Sequence, residues 1–232
     1  MVKWACLLGL LVACVGTTHL PKIVAASPPS RTCTTSTDPR LQVYDELNLE
    51  ESGLSRMAFD LGVAGMQYVP RAKPVLLVAD MTQPSSRKRL YVIDIAKRTL
   101  LFMTYVAHGQ ASGALHSNRF SNAASSMQSS LGFYRTMGRY TGKHGVSLKL
   151  KGLEPGINNN VFARNIVLHG ADYVCEDTIR HTGMLGRSQG CPAVPNAISR
   201  PLIDAVEGGA CLFIYYPDKT YLATSVFARP RL

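Results

Sequence analysis

The chain has no apolar run of the roughly 20 residues needed to cross a bilayer as a helix, so no transmembrane helix is expected in the mature protein. Acids are scarce, 15 against 25 lysines and arginines. The cations are nonetheless dispersed: only Arg87-Lys88-Arg89 forms a tight basic run, and beside a predicted turn it reads as a solvated face. Clustered cations with interleaved stacking aromatics are missing, which argues against nucleic acid as a partner. No glycine-rich phosphate loop joins a strand to a helix, which removes ATP and nicotinamide chemistry, and no cofactor is implied. The close-paired ligands of structural zinc are absent as well; the one metal alternative combines His169, Cys175, His181 and Cys191. There is no internal repeat to suggest a solenoid.

What is present suits one globular domain behind an export segment: 232 residues, 46% hydrophobic and 17% charged, are enough to bury a core. Met1-Val2-Lys3 supplies a positive start, residues 4–15 an apolar run, and Val24-Ala25-Ala26 small residues before Ser27. Residues 1–26 therefore read as a signal peptide. Its removal deletes Lys3 and Lys22 and no acid, taking the formal charge from +10 to +8, and a basic mature chain suits anionic partners such as cell-wall carboxylates or phosphates. A second reading treats Leu11-Val12-Ala13-Cys14 as a lipobox, with Cys14 as a lipid anchor.

Residues 27–44 read as a flexible tether, rich at first in Ser, Thr and Pro. It contains Cys33, which pairs with Cys175 as a candidate disulfide for an oxidising compartment. From Ser55, a plausible N-cap, apolar residues at helical spacing predict a helix to about Val69, closed by Pro70 and Pro74. Short apolar, β-branched runs then predict strands at 75–79, 90–95, 100–106, 146–150, 165–169 and 211–216. Residues 94–99 read as a hairpin connection, and the Gly/Ser/Asn-rich stretch 109–130 as a long surface loop of the kind that is usually functional or mobile. Asn196 is placed as the cap of a last helix ending at Gly208-Gly209, in which Pro201 must sit in the first turn or kink it. The fold class is mostly β, with a few short helices.

The chemistry concentrates between His169-Gly170 and Ser188-Gln189-Gly190-Cys191-Pro192. An apolar strand delivers His169 at its end, Gly190 permits close backbone approach, and Pro192 fixes the next turn. A free thiol is mostly protonated at neutral pH, so a catalytic cysteine needs a histidine or backbone donors able to lower its pKa to roughly 3.5–7.5. His169 is the candidate base and then acid, Cys191 the nucleophile, and backbone N–H groups near Gln189, Gly190 and Cys191 the candidate oxyanion donors.

These residues resemble the catalytic domains of L,D-transpeptidases of YkuD type, whose hallmark is a His-Gly strand end followed by Ser/Thr-His-Gly-Cys. The similarity is to a subgroup with a Ser-x-Gly-Cys-Pro-Ala-Val-Pro signature, present here from Ser188 to Pro195, and it covers about residues 45–217, leaving 218–232 as a C-terminal tail. The resemblance implies a β-sandwich or barrel-like fold and acyl transfer on peptidoglycan stem peptides, in the periplasm or cell envelope of a bacterium. By position it makes Cys191 the nucleophile and His169 the base, with the Gly170 carbonyl orienting the imidazole, Ser188 supporting the loop and Gly190 shaping the oxyanion site. His108 and His144, both followed by glycine, fall in subgroup segments and are candidates to line the cleft and bind substrate, with an ordinary strand end as the alternative reading of each His-Gly pair. Two positions depart from the pattern: Gln189 stands where His is usual, and Ala193 where Arg or Asn is usual. Arg187, Arg164 or Lys143 is then the candidate for carboxylate recognition. Two other readings stay open: a hydrolase of the same fold, and a non-catalytic wall-binding protein. The sequence is silent on oligomeric state.

Overall fold

The computed structural model describes Met1 and residues 38–229. The export segment, Cys14, Cys33 and most of the tether lie outside the described residues. Eight strands, β1 (Val75–Asp80), β2 (Leu90–Asp94), β3 (Thr99–Thr104), β4 (Gly132–Gly142), β5 (Gly145–Gly152), β6 (Val167–Ala171), β7 (Ala193–Pro195) and β8 (Cys211–Tyr215), form one sheet. Their order is β3-β2-β1-β8-β4-β5-β6-β7. Just beyond β3, Ala107 bridges Ala193 of β7, so the two edges meet and the sheet curls into a nearly closed barrel. The expected mostly β, barrel-like fold with few helices is the one observed.

The third and fourth strands of the sheet, β1 and β8, run parallel, in register from Leu76↔Cys211 to Asp80↔Tyr215. All residues of both strands are buried, which is why each reads as an apolar run and not as an alternation. Helix α2 (Arg56–Met66) covers this pair, its N-terminus capped by the Ser55 side chain, which accepts from Ala58 N–H. Glycines bring the helix close: a Cβ on Gly65 would lie 2.2 Å from Cζ of Phe133, and one on Gly62 would lie 3.2 Å from Leu76. Phe133 cannot withdraw easily, because its ring stacks 4.1 Å from Phe213 and 5.5 Å from Phe227.

The sequence pattern disguises two strands. In β4, three glycines and two arginines interrupt the apolar signal, and the register with β5 shifts between Thr136 and Arg139. β7 is only three residues long. Helix α4 (Asn196–Val206) begins one residue earlier than expected: Pro195 takes the N-cap position, Asn196 donates its side-chain N–H to Asp172, and Pro201 lies in the second turn. The other helices are α1 (Val43–Glu46), α3 (Glu176–Thr182) and α5 (Lys219–Thr224).

The stretch expected to be a tail packs onto the barrel. Asp218 caps α5 by accepting from Tyr221 N–H, and Tyr221 and Ala228 are buried. The pin is the buried Glu154 carboxyl, which accepts from Phe133 N–H at 2.7 Å, Tyr221 O–H at 3.3 Å and the Ser225 hydroxyl. Burial pushes the Glu154 pKa up, and these donors partly offset that rise.

Gly65→Ala tests the helix-to-sheet fit. Helix propensity alone favours Ala by about 1 kcal/mol. Overpacking against a confined ring costs about 1–3 kcal/mol. Chemical denaturation should therefore show a net loss of stability, and a more stable variant would refute the tight contact.

Candidate active site

β6 carries His169 as the third of its five residues, not at the strand end that the sequence suggests, because pairing with β7 continues to Ala171; the parallel register His169↔Ala193 places Cys191 level with Val167, two residues before the histidine on the same side of the sheet. The Cys191 sulfur accepts from Val167 N–H at 3.5 Å and donates toward Asn165 O at 3.8 Å. His169 Nδ1 lies 2.8 Å from the Gly170 carbonyl oxygen. A carbonyl only accepts, so Nδ1 carries the proton and Nε2 keeps its lone pair. Gly170 has no room for a side chain: a Cβ there would lie 2.3 Å from Asn196 Oδ1 on α4.

The turn that carries the thiol is held from several sides. Ser188 Oγ donates to Cys191 O at 2.7 Å and accepts from Gly190 N–H at 3.0 Å. Gly190 has φ +123°, and a Cβ there would approach Gln128 O to 2.8 Å, so this position needs glycine on both grounds. Its carbonyl accepts from Ser129 Oγ at 3.3 Å, and the same hydroxyl accepts from Gly109 N–H at 3.0 Å. The long 109–130 stretch is thus bound to the nucleophile turn and is largely irregular apart from one short 3-10 turn, Gln110–Ser112.

Thiol and imidazole open on one cleft of about 690 Å³, whose walls include Gln110, Met127, Tyr140, Asn165 and Tyr173. Its cations are Lys143, Arg164 and Arg187, and among the described residues no Asp or Glu lines it. Burial pushes the Cys191 thiol above its ordinary value of 9.0, against the lowering effect of the Val167 N–H and of the Arg164 and Lys143 charges. Burial also holds His169 below 6.5, opposed by the Gly170 carbonyl and assisted by His144 and Lys143. The resting pair is therefore a neutral thiol and a neutral imidazole.

The structure sorts the residues singled out in the sequence. Cys191, His169, Ser188, Gln189, Arg187 and His144 all line the cleft. His144, at the tip of the β4–β5 hairpin, stacks its ring 4.4 Å from that of His169. His108, a candidate for the cleft wall, is fully buried instead, because the interior guanidinium of Arg89 donates to its Nδ1 at 2.7 Å. Arg89 is likewise no part of a solvated face: it is 0% exposed, while Arg87 and Lys88 remain at the surface. Arg164 is spent on protein, donating to Ser121 O, Ser130 Oγ, Ser126 Oγ and Gln128 O. Of the expected oxyanion donors, Gly190 N–H is occupied by Ser188.

Ala193 packs in a small apolar cluster with Ala107, Ala171, Val174 and Leu185. The zinc alternative finds no ligand set, since no metal-competent cluster of three or more His, Cys, Asp or Glu occurs among the described residues. Cys175 caps α3, accepting from Thr178 N–H, and His181 is exposed on the same helix. Tyr173 and Asn165 in the cleft wall, and Ser112, whose Oγ accepts from Ser129 N–H at 2.9 Å behind the nucleophile turn, were not singled out in the sequence and carry no motif signal; only chain folding brings them here. No helix among the described residues is long and apolar enough to cross a membrane.

A family model described as the L,D-transpeptidase catalytic domain matches residues 50–215. No curated protein matches the chain. Among solved structures it is similar to an L,D-transpeptidase from Mycobacterium smegmatis, at 13% identity over 62% of this chain and 59% of that one, with a TM-score of 0.38. It is also similar to one from Xylanimonas cellulosilytica, at 15% identity over 63% of each chain, with a TM-score of 0.35. A third is a variant of the helical cell shape determining protein Pgp2 from Campylobacter jejuni, at 14% identity over 82% of this chain and 62% of that one, with a TM-score of 0.44. The chain thus spans about three fifths of the length of these structures.

The neutral resting pair has a measurable signature. Alkylation of Cys191 by iodoacetamide should accelerate with pH through a midpoint above the ordinary thiol value of 9.0. A rate already at its plateau at neutral pH would instead reveal a preformed thiolate–imidazolium pair.

Proposed function

Because the chain belongs to the L,D-transpeptidase catalytic domain family, we propose that it is an exported cysteine acyltransferase acting on peptidoglycan stem peptides, with Cys191 as nucleophile and His169 as base and then acid. The observation that carries this reading is the joint opening of the Cys191 thiol and a δ-protonated His169 on a cleft with three cations and no acid. Nε2 of His169 takes the thiol proton as sulfur attacks the carbonyl of the third stem residue. The tetrahedral intermediate collapses to a thioester, and the terminal D-alanine leaves as its amine receives that proton. An acceptor amine then attacks the thioester, gives its proton to His169, and the thiol is restored.

For the oxyanion, Gln189 N–H and Cys191 N–H are the expected backbone donors that make no hydrogen bond among the described residues, Gly190 N–H being taken by Ser188. Loss of one such donor typically slows reaction by about 10²–10³. The substrate carboxylates fall to Arg187 and Lys143. Arg187 is the better anchored, with Nη1 donating to Gly113 O at 3.2 Å beside the nucleophile turn.

Intact mass spectrometry after incubation with a carbapenem or a disaccharide-tetrapeptide should show an acyl adduct or release of D-alanine that disappears in Cys191→Ala. Product masses with an added acceptor amine then distinguish transfer from hydrolysis. An unchanged adduct in the variant would remove Cys191 from the mechanism, and inert wild-type protein would favour wall binding without catalysis. For Arg187→Gln, loss of a charged hydrogen bond of about 1.5 kcal/mol corresponds to roughly a tenfold rise in KM with kcat little altered. An unchanged KM would exclude Arg187 from carboxylate binding.

A further inference from the structure

The nucleophile turn is bracketed by the segment 107–110. Ahead of Cys191, Ser188 N–H donates to His108 O at 3.0 Å and Gln110 N–H donates to Ser188 O at 2.8 Å; behind it, Ala107 N–H donates to Ala193 O at 2.8 Å. What fixes that segment from the inside is Arg89. Its Nε and Nη2 donate to Val106 O at 3.2 and 3.0 Å, its Nη1 to Gln83 O at 2.8 Å, and its Nη2 also to His108 Nδ1 at 2.7 Å. A guanidinium has no acceptor, so His108 must offer a lone pair at Nδ1 and carry its proton on Nε2. That Nε2–H is 3.3 Å from Gly113 O, the same carbonyl that holds Arg187. Burial, with the Arg89 charge, lowers the His108 pKa to about 4 and keeps the ring neutral.

We propose that the buried Arg89–His108 pair is a positioning device for acyl transfer: it sets the tautomer and place of His108, and through His108 the geometry of the Ser188–Cys191 turn and the anchor of Arg187. Neither residue touches the cleft, and neither takes part in proton transfer. The inference rests on the acyl-transfer reading of the site. It adds that the turn's catalytic geometry depends on one buried lone pair and not merely on a filled core.

Replacing Arg89 strands three acceptors and endangers folding, so the test uses His108. Asn carries its amide oxygen the same number of bonds from Cβ as Nδ1 and restores an acceptor for Arg89; Leu fills space without one. Carbapenem acylation should fall about 10- to 100-fold in His108→Leu and stay within severalfold of wild type in His108→Asn. Iodoacetamide alkylation of Cys191, which needs the thiol but no oxyanion site, should stay near the wild-type rate in both. Hydrogen exchange at the Ser188 and Gly190 amides, which donate to His108 O and Ser188 Oγ, should accelerate in His108→Leu alone, with exchange in β1 and β8 unchanged.

Equal losses in Asn and Leu variants, parallel loss of alkylation and acylation, or unaltered acylation in the Leu variant would each overturn the proposal. If wild-type protein fails to acylate, the functional reading falls, while the exchange comparison still decides whether His108 positions the turn.

Discussion

Everything at this site depends on the closure of the sheet by a few backbone hydrogen bonds between residues 107–110 and 188–193. Without them β7 is a three-residue strand too short to hold itself, and Cys191 has no fixed height above β6. With them, a curled sheet presents the histidine of β6 and the cysteine of the turn leading into β7 on one side. The precision comes from main chain paired with main chain, which explains why the surrounding residues are small. Gly109, Gly170, Gly190 and Ala193 leave space where segments must meet, and at Gly190 the backbone itself is left-handed in a way that other residues resist.

The electrostatics follow from the same enclosure. A half-covered sulfur is costly to charge in advance, and the backbone N–H of Val167 and the nearby cations compensate only in part. The cations therefore serve the arriving ligand more than the resting thiol. They also differ in what they are free to do: Arg164 is consumed in clamping the 121–130 segment, whereas Lys143 and Arg187 face open space. Charge count in the cleft overstates what is available to a substrate.

The sequence was most legible where burial is two-sided. The apolar runs of β1, β2 and β8 and the capped start of α2 were read almost to the residue, because complete burial leaves an unbroken pattern and Ser55 an N-cap signal. It was least legible where chain shape, and not side-chain polarity, determines structure. β4 hides behind glycines, arginines and a register shift. α5 hides because its partner, Glu154, lies 67 residues from Tyr221. Of the motif, Cys191, His169 and Ser188 line the cleft. The local pattern misled at His108 and Arg89, since a polar residue beside an apolar run looks alike whether it faces solvent or a buried partner. Distances in space decide that, and no local pattern encodes them.

The pairing of β1 with β8 also has a consequence for synthesis. β1, an interior strand of the sheet, finds one of its two neighbours only near the other end of the folded region, since Leu76 is paired with Cys211. During elongation β1 and β2 can form their hairpin, but the barrel cannot assemble until β8 has emerged, and Glu154 cannot be sealed in until α5 follows. So nonlocal a topology folds slowly and late. A chain built this way holds little more than local hairpins until its last strand and helix have been made, so its tertiary structure is gained in one late step.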